Sequence, residues 1–545
     1  MDVATFVRKI EEGIRNIPRG PDPQKDFLTN YMPETEDAME LPFLVNGKYF
    51  IKNIDKREDR SYPLVLIASE NGSAIKNKMN YSKLDANCND VRMSDPGEAL
   101  SRKYAKLFLN IDGTVYEIKD VQTFNYQRDE GEIGYLGFDM VIVPAAIHML
   151  LHEISARCFL SYGPDSQPIE LRSLNVIIGP NGSGKSNLIE AIALLQAAPP
   201  GMLVNPIREG GGVRDWLWKG TEKNLIASVE AVIAPIGFTA KSALRYRFDF
   251  TESNNRFEIV DERIEYAEAL PGHGEPYFFY RYEKNHPVLN TKGEKGDGKP
   301  QKRYLKREEI DPEKSILAQR RDPDLYPEIT YLADVFSQIR VYRNWAFGRG
   351  TPPRQPQPAD LPNKWLLEDC RNLGLVLSRI RKSNGAFAKL KEFFSAIYDN
   401  ADDFDINVEG GTVQIFVREN NAYIPATRLS DGTLRYLCLL AILCDPTPPP
   451  LICIEEPELG MHPDIIGKIA ELLRYAAERT QVIVTTHSVA LVDAFTSEPE
   501  SILVCEKHNG STTMTRLDAE KLKPWLEKYR LGALWTSGEI GGNRW

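Results

Sequence analysis

Residues 179–186 read Gly-Pro-Asn-Gly-Ser-Gly-Lys-Ser, the G-x-x-x-x-G-K-[ST] spacing of a phosphate-binding loop. Gly179, Gly182 and Gly184 let the backbone curl until its N–H groups aim at one centre, with the polar Asn181 and Ser183 between them. Lys185 can reach β- and γ-phosphates, Ser186 offers a hydroxyl to Mg²⁺, and Asn187 opens the helix that follows. The helix N-terminus adds partial positive charge at the same point. The chemistry is binding of a nucleoside triphosphate, with ATP and Mg²⁺ as the expected cofactors.

Three later stretches supply what hydrolysis needs. Leu451–Glu458 reads LICIEEPE. Glu455 is placed to hold Mg²⁺ through water, and Glu456 to accept a proton from an attacking water. Val482–Ser488 reads VIVTTHS, which sets His487 where it can sense the γ-phosphate. Arg428–Arg435 reads RLSDGTLR, with Ser430, Asp431 and Gly432 at the start of a helix carrying Leu434, Leu437, Leu440 and Ile442. A lone acidic pair is more often a solvated edge and a lone histidine more often structural. Here each set follows an apolar segment and all occur in order.

These residues need a parallel sheet to gather them, because ligands of such sheets bind at the carboxyl ends of the strands. Val176-Ile177-Ile178, Leu451–Ile454 and Val482–Val484 are short apolar runs suited to buried strands. Further strands are expected over Ala227–Ile233, Leu244–Phe250, Arg256–Tyr266, Ile502–Glu506 and Ser511–Arg516. Helices are expected over Asn187–Ala197, Leu366–Ala396 and Ala519–Tyr529. Residues 291–307 form a glycine- and lysine-rich loop or hairpin tip, either solvated or touching a phosphate backbone. The expected fold is α/β, a mixed sheet flanked by helices, with β-rich and helical lobes; the helical lobe spans about residues 360–400.

Residues 1–147 read as a separate, small α+β or β-rich domain. A helix is expected over its first 17 residues, hairpins are signalled by Asn46-Gly47 and by Ile111-Asp112-Gly113, and Tyr135–Val143 is a further strand. Met149 could begin a free-standing ATPase spanning residues 149–545, which makes the first block resemble a fusion. A net charge of −10 argues against a surface basic all round, though not against a local basic patch. Seven cysteines without a C-x-x-C pair suggest reduced core thiols in a cytoplasmic protein. No signal peptide or membrane span is expected.

The ordered set GPNGSGKSNLIEAI, LSDGT, ICIEEPELGMHP and TTHS resembles the ABC-type ATPases of the RecF/SMC group. It is similar above all to the RecF-like and overcoming-lysogenization-defect (OLD) class, over about residues 149–545. In those terms the stretches are Walker A, the ABC signature, Walker B with its D-loop, and the switch histidine. The resemblance implies a head-to-tail dimer in which Ser430 and Gly432 of one subunit cover ATP on Walker A of another. It also implies a separately encoded effector, a nuclease in anti-phage defence, or in the alternative RecF-like DNA binding. The signature carries Asp431 where transporters have a second glycine, and Glu455 stands where many relatives have aspartate. No Q-loop glutamine is placed. The 58 residues after His487 leave no room for the Toprim nuclease of OLD proteins.

Overall fold

The computed structural model describes residues 149–545, except 221–225, 234–242, 271, 285, 293–299, 324, 344, 397–400, 421 and 543–545, together with seven strands within residues 41–144. Backbone contacts group Met1–Ala146 into one unit and Ile147–Trp545 into another.

In the first unit the seven strands form one sheet, in the order Ser73–Met79, Leu64–Glu70, Leu41–Leu44, Lys48–Lys52, Tyr135–Pro144, Thr114–Tyr126, Leu107–Ile111. Both turn signals fall between antiparallel neighbours: Phe43 pairs with Tyr49 across the first, Ile111 with Thr114 across the second. The helix expected at the start lies outside the described residues.

The second unit is built on a six-stranded sheet ordered Arg340–Tyr342, Leu451–Glu455, Gln481–Thr485, Leu174–Ile178, Ile502–His508, Ser511–Arg516. All neighbours are parallel except the last pair. The central strands are mostly apolar because both faces are covered, with Asn175, Gln481 and Thr485 buried at or near their ends. Ile177, Cys453 and Ile483 enter one core with the helix Lys185–Ala197. Val176, Ile178, Ile452, Ile454, Val482 and Val484 enter the other, with the helices Asp431–Leu443 and Pro463–Ala477.

An antiparallel sheet of eight strands, from Pro300–Tyr304 at one edge to Ile169–Glu170 at the other, covers the first core. The buried Gln481 side chain joins the two sheets by accepting from the Leu151 N–H (2.9 Å) and donating to the Leu151 carbonyl (2.8 Å). Residues 291–307 divide into the ends of two paired strands, His286–Lys292 and Pro300–Tyr304, and a short 3-10 turn from Arg307; the tip itself lies outside the described residues.

The helical lobe is shorter than expected. Instead of one helix from Leu366, it holds Leu373–Arg381 and Asn384–Ser395 beside a small antiparallel sheet. The buried Asn372 explains the late start: its amide bonds the Leu367 N–H and the carbonyls of Pro362 and Trp365, fixing the preceding segment as a loop. The helix expected over Ala519–Tyr529 stops at Leu526, and a further short helix follows over Leu531–Thr536. Among the described residues no helix is long and apolar enough to cross a membrane.

Candidate functional site

Parallel register brings four strand ends to one edge. Ile177 pairs with Thr485, Thr485 with Glu455, and Tyr342 with Ile454. The phosphate loop, the paired acids, the histidine segment and Arg343 therefore leave the sheet together. Two backbone bonds extend the ladder beyond the strands, from the Thr486 N–H to the Ile177 carbonyl (3.0 Å) and from the Glu456 N–H to the Thr485 carbonyl (2.9 Å).

The loop rests on a floor made by the C-terminal hairpin. The Thr512 hydroxyl donates to the Ser183 carbonyl (2.6 Å) and shares a hydrogen bond with Ser161 (2.6 Å). A Cβ on Gly179 would stand 2.2 Å from the Cys505 carbonyl, and one on Gly184 2.2 Å from the Thr512 hydroxyl; one on Gly182 would meet open space. Gly179 and Gly184 are thus required by the floor, whereas Gly182 leaves the ligand side clear. The Asn187 amide donates to Ser161 (2.6 Å), so the side chain expected to bind cofactor braces the floor.

Lys185 is buried, and its ammonium donates to the carbonyls of Gly179 (2.8 Å) and Pro180 (3.1 Å). Burial lowers its pKa, against the pull of Cys505, Glu456 and Glu455. The Ser183 hydroxyl is buried with no hydrogen-bond partner. An orphaned donor, an ammonium held at the loop and open space at Gly182 fit a triphosphate. Asn181 and Ser186 are exposed at the mouth.

The Ser186 hydroxyl hydrogen-bonds the Glu455 carboxylate, whose pKa is raised by burial and opposed by Ser186 and Arg343. A hydroxyl beside a carboxylate is an oxygen set that suits Mg²⁺. Glu456 is left-handed, with φ of 45°; a non-glycine residue there costs on the order of 1–3 kcal/mol. The surrounding bonds hold it: its carbonyl accepts from the Arg435 guanidinium (2.7 Å), and the preceding Glu455 carbonyl accepts from the Trp345 indole (3.1 Å). The Glu456 carboxylate is 39% exposed and stands 3.8 Å from His487 Nε2. Burial, then Lys185, lowers the His487 pKa, which keeps the ring neutral at pH 7.

Several contributors carry no obvious sequence signal. Glu458 accepts from the Thr486 hydroxyl and the His487 N–H (3.3 Å), while its other carboxylate oxygen is buried without a partner. Arg343 stands beside Glu455 at the end of its strand and is paired with Glu190 (2.5 Å). A cleft of about 400 Å³ lies against Glu455 and Glu456, lined also by Arg343, Trp345, Arg435 and Leu459. Thr512, Ser161 and Arg435 are readable only from contacts between distant segments.

Ser430, Asp431 and Gly432 meet other partners. The Ser430 hydroxyl caps the helix by accepting from the Thr433 N–H (3.0 Å). Asp431 pairs with the buried Arg354, which also donates to the carbonyls of Phe347 and Leu429 (both 2.6 Å). Gly432 faces the Gly460 carbonyl. Ser430 and Asp431 are exposed, and their described bonds do not join the phosphate loop. In the basic segment, Lys302 is paired with Glu283 (2.9 Å) and Arg303 donates to the Tyr326 hydroxyl (3.2 Å).

A family model described as "AAA domain, putative AbiEii toxin, Type IV TA system" matches residues 174–493, more than half of the chain. No curated protein matches. Among solved structures the chain is similar to an SMC head bound to the C-terminal winged-helix domain of ScpA, with 14% identity, 68% of this chain and 99% of that one covered, and a TM-score of 0.43. An SMC head with extended coiled coil, bound to the C-terminal domain of ScpA and derived from Pyrococcus furiosus, gives 14% identity, coverage of 70% and 99%, and a TM-score of 0.43. The SMC head domain from Thermotoga maritima gives 16% identity, coverage of 68% and 100%, and a TM-score of 0.35.

Proposed function

From the premise that this chain belongs to the family of AAA domains that the matching model describes, we propose that it is an ATP-hydrolysing switch that dimerises around its nucleotides. One observation carries the reading: phosphate loop, Glu455, Glu456 and His487 converge on one sheet edge, while Ser430 stands exposed at its own helix N-terminus. Such a terminus offers N–H donors to an anion that its own chain does not supply.

Bound Mg²⁺–ATP supplies a γ-phosphate open to attack by water. Lys185 exchanges its two carbonyl partners for phosphate oxygens, and Ser183 gains the partner it lacks. Ser186 and Glu455 would hold the metal, which would draw charge from the phosphate oxygens. Glu456 accepts the proton of the attacking water, and neutral His487 orients the reacting groups by hydrogen bonding. Closure shields the attacking water from bulk solvent, and hydrolysis removes the ligand that favours the closed state.

The biological setting follows the family description, whose type IV toxin–antitoxin wording supports a two-component arrangement. In this reading the chain is an OLD-like cytoplasmic ATPase, and it controls a separately encoded effector, a nuclease by class, in defence against phage. Co-purification with the products of neighbouring genes tests the effector: no ATP-dependent complex would discard it. The paired Lys302 and Arg303 do not favour DNA as the first partner.

Light scattering on the Glu456→Gln chain, with and without Mg²⁺–ATP, tests the switch. That change removes the base and keeps the loop. The expected result is a doubling of mass with ATP; a monomer with ATP bound would end the dimer proposal.

A further inference from the structure

Arg435 is the one charged residue among the apolar residues of LRYLCLLAIL on the helix Asp431–Leu443, and it is only 5% exposed. Burying a guanidinium is costly, and an apolar residue would pack there as readily. Yet its guanidinium donates to the Glu456 carbonyl (2.7 Å), lies over the Trp345 ring (4.9 Å from its centroid), and keeps an unpartnered Nε. The Trp345 indole holds the carbonyl of the residue before (3.1 Å). A stacked Arg–Trp pair therefore grips two successive carbonyls at the point where the chain turns left-handed and presents the Glu456 carboxylate.

The same helix begins at Ser430, whose side chain caps it, so Ser430 and Arg435 stand little more than one turn apart on a rigid element. We infer that Arg435 is a positioning residue that links the exposed N-terminus of this helix to the base of its own subunit. A shift of Ser430 on meeting a partner's nucleotide moves the guanidinium, and with it the backbone that aims Glu456. This rests on the ATPase reading above and adds to it a route within one subunit, from the surface that covers one nucleotide to the carboxylate that activates water at the other.

The test compares steady-state ATP hydrolysis by the full chain and its Arg435→Ala, Arg435→Lys and Arg435→Met variants, with ATP affinity measured separately in the Glu456→Gln background. Loss of the grip is expected to lower kcat on the order of 10- to 100-fold, the scale of a misplaced catalytic group. KM and direct ATP affinity are expected to stay unchanged. Arg435→Lys should recover part of kcat, because an ammonium can still donate to the Glu456 carbonyl; Arg435→Met, similar in bulk, should not. Equal kcat for the Lys and Met variants would overturn the inference and leave Arg435 as packing, and this comparison holds even where Arg435→Ala fails to fold. A variant losing ATP affinity in step with kcat would overturn it too. Failure of the underlying reading looks different: the unsubstituted chain would then hydrolyse no ATP.

Discussion

Glu458 shows how a single side chain can act at the site without touching a phosphate. Its carboxylate ties down Thr486 and His487, and burial raises its pKa while Thr486 and the local backbone N–H groups oppose the rise. Glu458→Ala would leave a hydroxyl and an N–H without their acceptor, at a cost of about 1–3 kcal/mol. The expected outcome is a lower melting temperature and a kcat reduced by roughly tenfold or more, with ATP affinity kept; thermal unfolding and a nucleotide titration on the same sample check both. Neither this role nor that of Thr512 is legible in the sequence. Gly179–Ser186, Glu455, Glu456 and His487 are legible because phosphate and metal chemistry restricts residue type and spacing. Glu458 merely ends the acidic run EEPE, and Thr512 lies in an ordinary strand 329 residues from the Ser183 it supports. Their parts are set by which segments meet, and no local spacing encodes that.

Among the elements, Ala227–Ile233 is readable from its alternation of buried and half-buried residues, and it and Ser511–Arg516 agree with their expected bounds to the residue. The helical lobe is not readable in this way, because one buried amide, Asn372, overrides the propensity of the residues before it. The antiparallel sheet hides a second such polar device. Glu262 is fully enclosed, accepting from Tyr246 (2.8 Å), Ser315 (2.6 Å) and the Ile316 N–H (2.9 Å), which fastens the helix Ile316–Gln319 to the sheet. Burial pushes its pKa up to about 7 from 4.5, more than those bonds draw it down. Because the folded value is the higher one, the folded state holds the proton more tightly. Its stabilising contribution is present in full below 4.5 and is lost as pH rises through about 7. Melting curves should therefore show the chain losing roughly 1–4 °C between pH 5 and pH 8 relative to Glu262→Gln. Parallel pH profiles of the two proteins would refute this.

The unit Ile147–Trp545 carries the phosphate loop, Glu455, Glu456 and His487 on one sheet edge, and an exposed helix N-terminus whose described bonds do not join that loop. If two copies exchange these surfaces about a twofold axis, each active site is shared. Mixing Lys185→Ala chains with Ser430→Arg chains then restores one complete site in each mixed dimer. Equal mixtures should reach about a quarter of the native hydrolysis rate, although neither variant is active alone. A mixture as inactive as its parts would place the signature outside the site. The strand order has another consequence, one that concerns birth rather than work. The loop's strand Leu174–Ile178 is flanked only by Gln481–Thr485 and Ile502–His508. A ribosome making about 5–20 residues per second needs roughly 15–60 s to cover the roughly 300 residues between them. For that interval Val176, Ile177 and Ile178 emerge without either neighbour, and the nascent chain is a natural client for a chaperone that shields apolar strands until the end of synthesis.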